Sequence, residues 1–206
     1  MTGPRERTWP GKDLPGRRIF VAVPLPADTV AAVAHLVDEI RAEGVPGGGH
    51  DVRWVRLDGL HFTLRFLGPT LDDRIEPTLA AVRRAAPAIV PFEIVLGGAG
   101  SFPEGRRPRA LWLGVLEGAD ALAGAAASID RELVGAGWSP ETRPFRAHLT
   151  LARSDGIPAG AAIATHLMDA AAHLRLRARV EHVGVFESLT GGGPARYEPL
   201  ELLPLG

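Results

Sequence analysis

Apolar residues along the chain fall alternately into short runs and into helical three-and-four spacings. Ile19 to Val23 is an apolar run closed by Pro24 and Pro26, which predicts a buried strand. From Asp28, the positions Val30, Val33, Ala34, Val37 and Ile40 repeat at helical spacing up to Gly44, so a helix follows. Residues 45–51 read as a Gly-rich loop. Val52 to Val55 and Leu60 to Leu67 predict two strands separated by a turn at Asp58-Gly59, and Asp72 to Ala86 predicts a second helix closed by Pro87 and Pro91. Phe92 to Leu96 and Ala110 to Leu116 predict two more strands, joined by a Gly- and Arg-rich loop over 97–109. The order then repeats with a helix over 119–135, a strand over 147–152, a helix over 159–171 and strands over 179–186 and 197–203.

This alternation argues an α+β architecture in which helices cover one face of each sheet and leave the other face free. A chain of 206 residues is long enough to bury roughly 70% of its unfolded surface. Residues 1–17 are polar and rich in Pro and Gly and are expected to form a flexible N-terminal segment ahead of a single domain over 18–206. No uncharged apolar run approaches the roughly 18 residues of a membrane span, so a soluble, cytoplasmic protein is expected. The chain contains no cysteine, which removes disulfides, thiolate metal sites and cysteine nucleophiles.

Charge changes the picture only locally. Lys and Arg number 23 against 24 Asp and Glu, so no overall field favours nucleic acid. Arg106, Arg107 and Arg109 nevertheless crowd one loop, and Arg143, Arg146 and Arg153 bracket a later segment. A solvated arginine-rich face is an equally good reading of the first cluster.

Two segments carry the candidate chemistry. His61-Phe62-Thr63-Leu64-Arg65-Phe66-Leu67 and His148-Leu149-Thr150-Leu151-Ala152-Arg153 share His-x-Thr-Leu in register. One such match is expected about 0.04 times in a chain of this composition, so two make roughly a one-in-a-thousand coincidence. On an ideal strand His61, Thr63 and Arg65 share a polar face while Phe62, Leu64 and Phe66 face the core, and His148 and Thr150 repeat the arrangement. A lone His-x-Thr would read as an exposed strand residue, but the duplication favours a cleft that binds something polar. No third histidine or carboxylate sits at ligand spacing, so no metal is expected. His35, His50, His166, His173 and His182 lack the motif and are expected at the surface or in structural roles.

These segments resemble the two-histidine phosphoesterases, and among them the RNA 2',3'-cyclic phosphodiesterases of the 2'-5' RNA ligase family. The resemblance also runs through Arg18 to Val23, Val52 to Val55, Gly100 to Pro103, Pro108 to Gly114, Phe145 to Arg153 and the ending Phe186-Glu187-Ser188 with Tyr197. It implies a bilobal fold, two related sheet-plus-helix lobes facing across a central cleft, each offering one His-x-Thr strand. It further implies His61 as proton donor, His148 as proton acceptor, Thr63 and Thr150 as phosphate-oxygen donors and Arg153 as a phosphate contact. Ala147 departs from the family, where proline often precedes this histidine, but no functional group is lost.

Arg153 lies an odd five residues from His148, which points it to the core side of an ideal strand. A strand end or bulge near Ala152 would turn it into the cleft. Arg65 has the right parity without help and is a second phosphate candidate, against a structural ion-pair role. Phe102, Trp112 and Tyr197 are the aromatic candidates for a base, whereas Phe20 and Trp54, inside apolar runs, are expected in the core.

The residue types fit the implied reaction. Opening a cyclic phosphodiester requires one group to take a proton from water and another to protonate the departing ribose oxygen, and histidine serves both near neutral pH. Hydroxyls and a guanidinium stabilise the phosphoryl oxygens without a metal or other cofactor. The expected partners are RNA ends or nucleoside 2',3'-cyclic phosphates, with a monomeric chain needing no protein partner. Alternatives are a related cyclic phosphodiesterase, an ATP-independent 2'-5' RNA ligase, or a non-catalytic RNA- or nucleotide-binding module on the same fold.

Overall fold

A computed structural model describes residues 15–44, 52–154, 158–191 and 193–206. Strand β1 (Arg17–Pro24) buries its whole centre, because Ile19 to Val23 are all apolar and both of its sheet faces are covered. Helix α1 (Ala27–Glu43) buries Val33, Leu36, Val37 and Ile40, one stripe at helical spacing, and Gly44 ends it at a positive φ of 65°. After the two-residue strand β2 (Arg53–Trp54) a 3-10 turn over Leu57–Gly59 leads into β3 (His61–Thr70). Helix α2 (Asp72–Ala85) follows, burying Thr78, Ala81, Val82 and Ala85.

Next come β4 (Phe92–Phe102), β5 (Ala110–Glu117) and α3 (Ala119–Gly135). Gly118 introduces α3 at φ 83°, where a Cβ would stand 2.4 Å from the Glu93 carbonyl oxygen. The chain closes with β6 (Leu149–Arg153), α4 (Pro158–Ala171), β7 (Leu176–Val180), β8 (His182–Leu189) and β9 (Arg196–Pro204).

The strands form two antiparallel sheets, one ordered β3-β1-β8-β9 and the other β2-β6-β5-β4-β7. Helices α2 and α3 pack on the first sheet, and α1 and α4 on the second. Two helices therefore change sides: α1 follows a strand of the first sheet but covers the second, and α3 does the converse. The faces that carry no helix meet where β3 approaches β6. The architecture is the expected α+β fold with two sheet-plus-helix lobes about a cleft.

Three expectations about the elements are corrected. Residues 97–102 belong to β4, which passes through a register irregularity between Leu96 and Ala99; a Cβ at Gly97 would lie 2.2 Å from the Leu174 carbonyl oxygen, so the glycine admits a close backbone rather than a loop. The run over 179–186 is two strands in different sheets, broken at Glu181. The two strands flanking Asp58-Gly59 are present as expected, in different sheets, since β2 joins β6. Arg17, assigned to the flexible segment, lies in β1 and grips Glu187 at 2.6 Å. Residues 1–14 of that segment and the Gly-rich stretch 45–51 lie outside the described residues.

Candidate active site

Each His-x-Thr strand carries a bulge immediately after its threonine. In β3, Val21 pairs with Arg65 but Ala22 with Thr63, so Leu64 is the extra residue. In β6, Leu111 pairs with Ala152 but Trp112 with Thr150, so Leu151 is extra. Side-chain alternation reverses at each bulge. The cleft face consequently holds His61, Thr63 and Phe66 from one strand and His148, Thr150 and Arg153 from the other, while Leu64, Arg65, Leu151 and Ala152 turn inward. Phe66 and Arg153 are equivalent positions, each five residues past its histidine.

The bulge re-aims Arg153 as expected, with Leu151 the bulged residue. Of the two roles open to Arg65, the reversed parity and its ion pairs favour the structural one. That side chain is only 9% exposed and is held between Asp130 of α3 at 3.3 Å and Glu141 at 2.8 Å, with a further hydrogen bond to the Ser139 carbonyl. It braces the wall of the cleft rather than offering a free guanidinium. Phe66, expected in the core, is 37% exposed on the cleft side, against Arg18 at 5.6 Å from its ring centre.

The two histidines are held alike. His61 Nδ1 lies 2.7 Å from the Gly59 carbonyl oxygen and His148 Nδ1 lies 2.7 Å from that of Arg146, in both cases two residues upstream. A carbonyl only accepts, so Nδ1 carries the proton in each ring and Nε2 is the atom left for chemistry. In this state His61 Nε2 accepts from the Thr63 hydroxyl at 3.1 Å.

Aromatic walls complete each seat. Phe20 at 4.8 Å and the edge of Tyr197 at 4.9 Å flank His61, with Phe186 behind at 6.4 Å. Phe102 meets His148 edge-on at 5.1 Å and Trp112 stands at 6.4 Å. Phe20 is buried as expected, yet its ring also lines the pocket. Trp54 packs against the core.

Both imidazoles titrate below the ordinary histidine value. For His61 the largest cause is burial, partly offset by the Gly59 carbonyl, with the neighbouring His148 charge lowering it further. For His148 burial again leads, the Arg146 carbonyl opposes it and the Arg153 charge adds to it. Burial pushes the Tyr197 phenol up.

One pocket gathers both histidines, both threonines, Arg153, Tyr197, Phe66 and Ser188. Phe102 lines the broader cleft around it, together with Arg146. Two imidazole Nε2 atoms, two hydroxyls and a guanidinium about one space can exchange protons with an oxyanion while holding its oxygens. No cluster of three or more metal-ligating side chains occurs among the described residues. His35 and His166 stand apart, beside Glu39 and Glu43 on the surface, and His50 lies outside the described residues. Sequence periodicity missed Phe66 because the bulge is invisible to it, and Ser188 because a serine near a strand end has no distinguishing pattern.

Comparison with known proteins supplies the lineage. Residues 26–192 match the family model of the 2'-5' RNA ligase superfamily. An RNA 2',3'-cyclic phosphodiesterase of Aeropyrum pernix is 38% identical over 129 residues, 62% of this chain and 68% of that protein. The enzyme of the same name from Methanothermobacter thermautotrophicus is 34% identical over 139 residues, 68% of this chain and 72% of that one. Among solved structures, E. coli LigT complexed with 3'-AMP superposes with a TM-score of 0.70 at 25% identity, covering 92% of this chain and 98% of that one. The TT0787 protein of Thermus thermophilus superposes at 0.71 and 26% identity, covering 91% and 97%. No helix among the described residues is long and apolar enough to cross a membrane. With two bulged His-x-Thr strands facing across one cleft and a family match over most of its length, the chain belongs to the 2'-5' RNA ligase superfamily.

Proposed function

We propose that the protein hydrolyses the 2',3'-cyclic phosphate at an RNA end to a 2'-phosphomonoester. The observation that carries this reading is the pair of matched Nδ1 to carbonyl hydrogen bonds, which leave both Nε2 atoms as the proton-exchanging sites of one pocket.

His148 takes a proton from water as the water oxygen bonds to phosphorus. The bond from phosphorus to the ribose 3'-oxygen breaks, and His61 delivers its proton to that oxygen. The products are a 2'-phosphate and a free 3'-hydroxyl, and one proton transfer back between the histidines through solvent resets the pair. Thr63 and Thr150 donate to the non-bridging oxygens and Arg153 neutralises their charge. Substrate must first draw the Thr63 hydroxyl away from His61 Nε2. Tyr197 and Phe102 hold the imidazoles edge-on and offer the nucleoside an apolar surface.

The test is incubation with an oligonucleotide ending in a 2',3'-cyclic phosphate, with the product identified by phosphorus NMR. A 2'-phosphate is expected. Mainly 3'-phosphate would reverse the placement of ligand against the histidines, and no turnover would return the fold to a binding role.

A further inference from the structure

The arginines of this protein divide into two populations. Those at the outer surface are mostly neutralised, as in Arg56 with Asp58, Arg83 with Glu76 and Glu201, and Arg84 with Glu132. Arg106, Arg107 and Arg109, in the loop between β4 and β5, are exposed and make no ion pair with any described residue. One carboxylate, the exposed Glu104, shares that loop.

This loop is seated next to the cleft and fixed there. The Arg109 amide donates to the Phe102 carbonyl at 2.7 Å, and the Ser154 amide to the Arg109 carbonyl at 3.0 Å. The fully buried Ser154 hydroxyl donates to the Pro108 carbonyl at 2.5 Å. The base of the loop is thus locked to Phe102, which touches His148, and to the residue after Arg153. Inside the cleft, Arg18, Arg65, Arg143, Arg146 and Arg153 outnumber Asp130 and Glu141, and those two carboxylates are already committed to Arg65 and Arg143. Arg146 lies over the Phe102 ring at 5.9 Å, continuing the positive line towards the loop. Beside the cleft-lining Ser188 and Tyr197, by contrast, Arg17 is neutralised by Glu187 and Arg196 by Glu198.

A cyclic phosphate terminates an RNA strand, so in any substrate longer than one nucleotide further phosphodiesters must leave the pocket over one rim. We infer that the strand leaves over the β4–β5 loop, where Arg106, Arg107 and Arg109 bind the backbone phosphates upstream of the reacting nucleotide. This rests on the proposed RNA-end activity and adds a preference for strands over mononucleotides. The contacts are to phosphate, so they confer affinity and salt dependence without base selectivity.

The test compares wild type with the triple variant Arg106→Ala, Arg107→Ala, Arg109→Ala. Substrates are a nucleoside 2',3'-cyclic phosphate and cyclic-phosphate oligoribonucleotides of two to eight nucleotides; binding of a 2'-phosphate octamer is followed by fluorescence anisotropy. Wild-type KM should fall with length and the variant's should not. Octamer affinity should drop about tenfold at low salt, and the slope of log affinity against log salt should become shallower by about 2, at about 0.7 per phosphate contact on a single strand. Turnover of the cyclic mononucleotide should be unchanged, and replacing the three arginines with lysine should restore most of the binding. Octamer binding equal to wild type, or an equal loss on mononucleotide and octamer, would overturn the inference. A wild type that binds the octamer through these arginines but turns over neither substrate would instead refute the proposed activity.

Discussion

The Arg65 guanidinium reaches Glu141 at 2.8 Å, tying the first His-x-Thr strand to the segment that delivers His148. Arg65→Met should leave Asp130 without its cation in a half-buried wall, while Glu141 keeps Arg143, and should lower stability by about 1 to 3 kcal/mol, read as a shifted urea midpoint at unchanged m. Because the segment before His148 loses its anchor, kcat should fall in the fraction still folded. The Glu141 carboxyl is held down to about 2, first by Arg143, with Arg65 the smallest contributor. A depressed folded-state value stabilises above the ordinary carboxylate range and is lost as pH drops from about 4.5 towards 2. Stability should decline through that window, and Glu141→Gln should flatten the decline.

Turnover should be bell-shaped in pH with its centre displaced to acid. Both histidines sit below their ordinary value through burial, so in the free enzyme the proton on the donor is lost early as pH rises. The kcat/KM optimum should lie below about 6.5. A bound phosphate anion raises both values, so the kcat profile should lie at higher pH than that of kcat/KM. The two limbs belong to the pair rather than to either ring. A kcat/KM profile flat between pH 5 and 9, with chemistry limiting, would remove the acid/base assignment.

Loss of either histidine should nearly abolish turnover, since each typically contributes about 10²- to 10⁴-fold and the two act in one displacement. The double variant His61→Ala, His148→Ala should be little worse than the poorer single. Thr63→Ala and Thr150→Ala should be milder, because water can replace a neutral donor. Single-turnover rates with and without chelator check all five, with chelator expected to change none. Inhibition reversed by added zinc would sink the two-histidine mechanism.

Gly100→Ala should damage the site from behind. A Cβ there would stand 2.4 Å from the Trp112 ring, and Trp112 packs on Phe102 at 5.1 Å, which in turn meets His148. Displacing the indole should lower kcat more than it lowers stability and should change the tryptophan fluorescence. Wild-type kcat with an unchanged emission spectrum would show that the added methyl is accommodated without displacing the indole.

The sequence made the four helices and most of the strands legible, because each helix buries one stripe at helical spacing and the strands are short apolar or alternating runs. The duplicated histidines and threonines were legible by repetition alone. What stayed hidden were the places where chain geometry departs from period two. The Leu64 bulge sends Arg65 inward and Phe66 outward, against the parity of an ideal strand; the matching bulge at Leu151 was anticipated near Ala152 only because Arg153 needed it. Sheet membership was hidden for the same kind of reason. Nothing local distinguishes residues 176–180 from 182–189, and only long-range pairing assigns them to different sheets.

The exchange of α1 and α3 between the lobes has a consequence for cooperativity. The first sheet combines β1 and β3 with β8 and β9, the second combines β2 with β4 to β7, and each is roofed by a helix whose preceding strand lies in the other. No single cut yields a fragment holding one sheet with its own cover, so neither lobe is a separate foldon. Unfolding should be one transition, with amide exchange protection in β1 and β6 lost together and at the global free energy. Such non-local pairing also predicts folding in milliseconds to seconds rather than microseconds. The two histidine strands should therefore unfold together, in the same transition.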